Sequence, residues 1–170
     1  MILAAITMTV DPQVLAQQVG ELLIAGGTLG DTLNYDEKDY EVLYALGHSC
    51  YSQARYKDAV KVFGYLVMHN HLEKRFANAF ASSLHMTKSY EEAIKYYSLA
   101  SVMDMSDPVP TFHTAECMIA LGNVPDAREA LAIVLKQCVK PEQDALKERA
   151  NALIALVEGE SATAASGGQS

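Results

Sequence analysis

One period constrains this chain more than any other feature. Ala59, Ala93 and Ala127 stand 34 residues apart, and the residues around them keep the same register. Tyr56, Tyr90 and Val124 precede the alanines; Phe63, Tyr97 and Leu131, then Leu66, Ala100 and Val134, follow them in step. Twelve positions ahead of each alanine lies a small residue: Gly47, Ala81 or Ala115. A period of this length marks a helix–turn–helix unit that cannot bury its apolar face alone and stacks on copies of itself. The small slot lets the two helices of a pair approach closely, while the aromatic and aliphatic positions fill the gap between pairs. Leu43 to Val139 therefore reads as three helical hairpins.

The units run over about 40–73, 74–107 and 108–141, with turns at Gln53-Ala54-Arg55, Thr87-Lys88-Ser89 and Gly122-Asn123. Pro108 and Pro110 mark the start of the third unit, and Pro125 falls in the first turn of its second helix, where a missing N–H costs nothing. A last helix after Pro141, with Ala145, Leu146, Ala150, Leu153, Ile154 and Val157 on its apolar face, is expected to cap the array. No segment alternates as a strand does, so the expected fold class is all-α.

Outside the array, Asp11 and Pro12 open an amphipathic helix over about 12–25, which Gly26-Gly27 stops. Leu15, Val19, Leu22 and Leu23 share one of its faces. That face either caps the first repeat or forms a dimer contact, and both roles are compatible. The resulting divisions are an N-terminal segment 1–34, a repeat domain with its cap over 35–158, and a disordered tail over 159–170, whose end, SATAASGGQS, is low in complexity.

Composition enters as a filter. Half of the 170 residues are apolar and the net charge is −8, which leaves no basic stripe for nucleic acid. Met1 to Val10 is apolar but carries no positive charge, the first basic residue being Lys38, so it does not read as a signal peptide. No run is long enough to span a membrane. The odd, scattered cysteines Cys50, Cys117 and Cys138 fit a reducing compartment, and the expected location is the cytoplasm.

The first helix of each hairpin lines the concave side of such an array. Tyr44, His48 and Tyr51 are spaced four and three apart and so share one face, whereas Leu43, Leu46 and Cys50 are expected to pack on the partner helix. A helix with two apolar faces has more adhesive surface than its hairpin uses. Tyrosine suits a binding groove, offering a large apolar area with a polar tip and few rotors to freeze. The equivalent positions are Asn78, Ser82 and His85 in the second unit and Phe112, Glu116 and Ile119 in the third. The competing reading has Tyr44 and Tyr51 packing on the N-terminal helix.

Chemistry is harder to find. His69 and His71 read as turn or surface histidines with no ligand partner at metal spacing. His113, Glu116 and Cys117 imitate a metal cluster, but Glu116 and Cys117 project from different sides of a helix. Glu91-Glu92 suits a helix start. No nucleophile elbow, phosphate loop or HExxH is present. The reading is of a non-enzymatic chain with no metal and no cofactor.

Several stretches carry a more specific likeness: Gly26-Gly27-Thr28 with Leu29, Leu43-Tyr44-Ala45-Leu46, Tyr56 to Ala59, Tyr90 to Ala93, Val102-Met103-Asp104 and Phe112-His113-Thr114-Ala115-Glu116-Cys117. Over roughly residues 20–140 the chain resembles the translocator-class (class II) chaperones of bacterial type III secretion systems, which carry three tetratricopeptide repeats. The resemblance implies a cytoplasmic chaperone that holds hydrophobic translocators soluble and secretion-competent without ATP, and that forms a homodimer when free. It also implies that an extended cargo segment lies in the concave groove, here Tyr40, Tyr44, His48, Tyr51, Asn78, Ser82, His85 and Phe112. His48 replaces a usual tyrosine and Asn78 a usual apolar residue, which makes the middle pocket more polar. The alternative is a generic repeat adaptor binding another peptide. One that clamps an acidic terminus would need Lys, Arg and Asn along these faces.

Overall fold

The computed structural model describes Gln17, Gly20, Glu21 and residues 24–166. The expected dimer-contact residues Leu15, Val19, Leu22 and Leu23 lie outside the described residues, as does most of the helix expected over 12–25. Within it, Gln17 Nε2 donates to Glu21 Oε1 at 2.9 Å, one helical turn on, and Gly26 takes a φ of +79° where that helix ends. A short turn α1 (Leu29–Thr32) follows. It is capped by Thr28, whose N–H donates to the Asp31 carboxylate while its hydroxyl accepts from the Asp31 N–H.

The array itself is three antiparallel helix pairs: α2 (Glu37–Ser52) with α3 (Tyr56–His69), α4 (Lys74–Met86) with α5 (Tyr90–Met103), and α6 (Pro108–Ala120) with α7 (Val124–Gln137). Each helix packs on the next in chain order, and α2 also touches α4, so the first helices of successive pairs stand side by side. No described residue is in a strand. Sequence sets the starts. Asp36 and Asp39 form a reciprocal capping box on α2 at 3.0 Å each way, and Asp107 caps α6 through the Val109 N–H at 3.0 Å. The three turns also repeat. Ala54, Lys88 and Gly122 sit at φ +58°, +63° and +77°. The next N–H in each turn, from Arg55, Ser89 and Asn123, reaches back at 2.9 Å to the carbonyl of Cys50, Leu84 and Met118. That is the six-to-one closure of a Schellman motif.

The core follows the period. Ala59, Ala93 and Ala127 have no exposed surface, and neither do Ala81 and Ala115 in the small slot. One cluster forms around Phe63, Leu66 and Phe76, a second around Leu84 and Tyr97, and a third around Phe112, Leu131 and Val134. The third is covered by α8 (Asp144–Ser166) through Ala150, Leu153 and Ile154, which gives the expected C-terminal cap. Helix α8 continues through Ser166, into the segment read from sequence as a tail. Alanine-rich sequence such as Ala162 to Ala165 tolerates that continuation.

Three expectations about the core change. Leu46 is half exposed, because the buried stripe of α2 runs through Tyr40, Gly47 and Cys50, with Leu43 half-buried along it. Ala145 is likewise exposed on α8. His69 is buried: its ring stacks on Tyr65 at 3.9 Å and its Nδ1 lies 2.8 Å from the Tyr65 carbonyl. The aromatic side chains of Tyr35 and Tyr65 close over it, which residue spacing alone does not reveal.

Candidate functional site

Between α2 and α4 the side-by-side first helices leave a cleft of about 340 Å³. One wall is Tyr44, His48 and Tyr51 from α2, and the other is Arg75, Asn78, Ala79 and Ser82 from α4. Phe63 of α3 forms the floor, reaching it because Gly47 has no side chain to stand in the way.

The walls are held by contacts of their own. Tyr44 rests on Phe63 and Phe76 at ring separations of 5.6 and 5.8 Å. The Arg75 guanidinium lies 5.1 Å over both Tyr44 and Phe76 and is tied to Glu41. That arrangement presents a cation at the rim without burying it, and the paired charge draws the Glu41 carboxyl below its ordinary range. Tyr51 meets Tyr56 edge-on at 5.2 Å, and burial raises its phenol pKa. Ser82 accepts a hydrogen bond from the Tyr97 hydroxyl at 3.1 Å. The Asn78 side-chain oxygen is buried, with no hydrogen-bond partner among the described residues.

Five of the expected groove residues therefore line one cleft: Tyr44, His48, Tyr51, Asn78 and Ser82. Tyr40 and Phe112 do not. Tyr40 is buried in the first core cluster against Phe76, its hydroxyl 3.4 Å from the His69 carbonyl. Phe112 has no exposed surface, because α8 lays Arg149 over its ring at 4.6 Å. His85 stands farther along α4, beside His113 and Tyr97. Arg75 and Phe63 were not anticipated. Arg75 shares a helical face with Asn78, three residues on, and that spacing was the available signal. Phe63 shows itself only through the missing side chain at Gly47.

Comparisons with known proteins agree with this fold. A family model described as tetratricopeptide repeat matches residues 40–68 and 79–107. The low calcium response locus protein H of Yersinia pseudotuberculosis is 28% identical over 151 residues, covering 88% of this chain and 90% of that protein. The Yersinia enterocolitica type III secretion translocator chaperone SycD is 30% identical, with a TM-score of 0.70, over 76% of this chain and 98% of SycD. The chain belongs to the type III secretion translocator chaperones. A further member of similar fold is PcrH in complex with the chaperone binding region of PopD. There the identity is 30% and the TM-score 0.71, over 75% of this chain and 96% of PcrH.

In this translocator chaperone the cysteines are packing residues. All three are buried and free, and burial pushes the Cys117 thiol up to about 12, far from a reactive thiolate. No helix among the described residues is long and apolar enough to cross a membrane.

Proposed function

We propose that the chain is a cytoplasmic, non-enzymatic chaperone that takes an extended apolar segment of a type III secretion translocator into the α2–α4 cleft. Cargo is held soluble and secretion-competent without ATP. The observation that carries the reading is the aromatic lining of the cleft: Tyr44 and Tyr51, both partly exposed, offer apolar area that the hairpins do not consume. An extended segment presents alternate side chains to such pockets. Ordering the segment takes several kcal/mol from the gross interaction, which keeps the complex reversible, as export requires. Leu15, Val19, Leu22 and Leu23 are proposed as the contact of a homodimer in the cargo-free state.

Co-expression with a hydrophobic translocator tests this reading. The partner should stay soluble and co-purify. Tyr51→Ala combined with His48→Ala should weaken capture more than about tenfold while the helical circular dichroism is unchanged. Undiminished capture by that correctly folded variant would remove the cleft assignment.

A further inference from the structure

Beyond the cleft, three side chains with metal-binding atoms converge where the second and third repeats meet. His85 comes from the last turn of α4; His113 and Glu116 lie one turn apart on α6. One ligand atom from each lies within 4.8 Å of the other two. His113 Nδ1 stands 2.7 Å from Glu116 Oε2, and the two imidazole rings are 6.1 Å apart at 72°. Cys117, adjacent in sequence, is not part of the group: it is buried in the second core cluster.

We propose that His85, His113 and Glu116 form a binding site for a divalent transition metal, zinc foremost, with one coordination position left open. Two imidazoles and a carboxylate are a donor set for zinc, and three protein ligands leave the fourth position to water or an incoming group. Calcium and magnesium require oxygen donors and are not served by two imidazoles. Ligand atoms around a tetrahedral zinc stand about 3.4 Å apart, given metal–ligand distances near 2.1 Å, so small side-chain rotations suffice to close the site.

The surroundings already orient the ligands. His113 stacks on Tyr97 at 5.4 Å, and Tyr97 is fixed by its hydrogen bond to Ser82. Arg149 Nη2 holds Glu116 Oε1 at 3.3 Å, leaving Oε2 free to turn from His113 to the metal. A ligating carboxylate held through its second oxygen is a common outer-shell arrangement. The stacking of repeats creates the site, because it brings the end of one first helix against the middle of the next. A metal there would tie α4 to α6 across the repeat boundary. The inference does not depend on what occupies the cleft, and its test uses the chain alone.

The full chain, stripped with chelator, is titrated with zinc by calorimetry and with cobalt by visible absorption. The expected result is one zinc per chain and a cobalt d–d spectrum without a thiolate charge-transfer band. H85A and E116Q should each weaken zinc more than about tenfold, while H48A should not. The cobalt spectrum reads the donor set on the unmodified chain, so it stands even where a variant misfolds. Absence of zinc binding, a thiolate band, or affinity unchanged in folded H85A and E116Q would each overturn the proposal.

Discussion

Gly47 lies against the ring of Phe63: a Cβ built on Gly47 would stand 2.6 Å from Phe63 Cε1. The ring is 2% exposed and cannot swing away. In the other two repeats the same slot holds Ala81 and Ala115, where the facing positions are Tyr97 and Leu131. In the first repeat the Phe63 ring occupies the space that a Gly47 side chain would take and so stands beneath the cleft. Gly47→Ala should destabilise the fold by about 1–3 kcal/mol through overpacking, read from urea unfolding. Adding Phe63→Leu should recover part of that loss, because the two residues are in contact and their effects are not additive.

The turns make the opposite case. Ala54 and Lys88 occupy left-handed backbone at φ +58° and +63°, which Gly122 occupies in the third repeat. That conformation costs a side-chain-bearing residue about 1–2 kcal/mol, partly offset by its smaller entropy when unfolded. Ala54→Gly and Lys88→Gly should each stabilise by about 0.5 kcal/mol. The urea midpoint should rise with an unchanged slope.

Phe112 and Tyr51 were both expected in the groove, and their different burial predicts different phenotypes. Phe112→Ala opens a cavity in a fully buried site and should cost about 3–5 kcal/mol of stability. Tyr51→Ala, at the cleft wall, should lower cargo capture with a smaller loss in unfolding free energy. Measuring both quantities for both variants separates a core residue from a contact residue.

Lys74 ties the start of α4 to the connection between α5 and α6, its Nζ 2.7 Å from both Asp104 and Asp107. Hydrogen bonds from Lys74 and Ser106 bring Asp104 down to about 2 from an ordinary 3.8. A depressed folded-state value means that the stabilising contribution is present above about pH 4 and is lost as pH falls toward 2. Melting temperatures of the parent chain and Asp104→Asn should therefore differ at pH 6, differ less at pH 3, and converge only as pH falls to about 2 or below. A difference that persists at low pH would show that the bridge is not its source.

Much of the fold was readable from one sequence, because a repeat array is nearly one-dimensional. The alanines at 59, 93 and 127, with Phe63, Tyr97 and Leu131 and with Leu66, Ala100 and Val134, each report a local contact between adjacent helices and are all buried, while Tyr56, Tyr90 and Val124 are half-buried. The site was half readable. Tyr44, His48 and Tyr51 lie on one helix, so spacing alone placed them together, and Asn78 and Ser82 followed by translation through one period.

Translation failed where neighbours differ. Tyr44 and Phe112 are equivalent by register, yet Tyr44 borders an open cleft while α8 closes over Phe112. Tyr40 is drawn inward by Phe76, and His69 by Tyr35 and Tyr65. The sequence by itself determined an all-α repeat array and which side chains of α2 share the face proposed to bind, since both follow from periodicity along single helices. Only the tertiary structure decided which of those side chains reach the cleft, and that His85 meets His113 and Glu116. Those outcomes depend on packing between helices distant in the chain, where identical register does not mean identical surroundings.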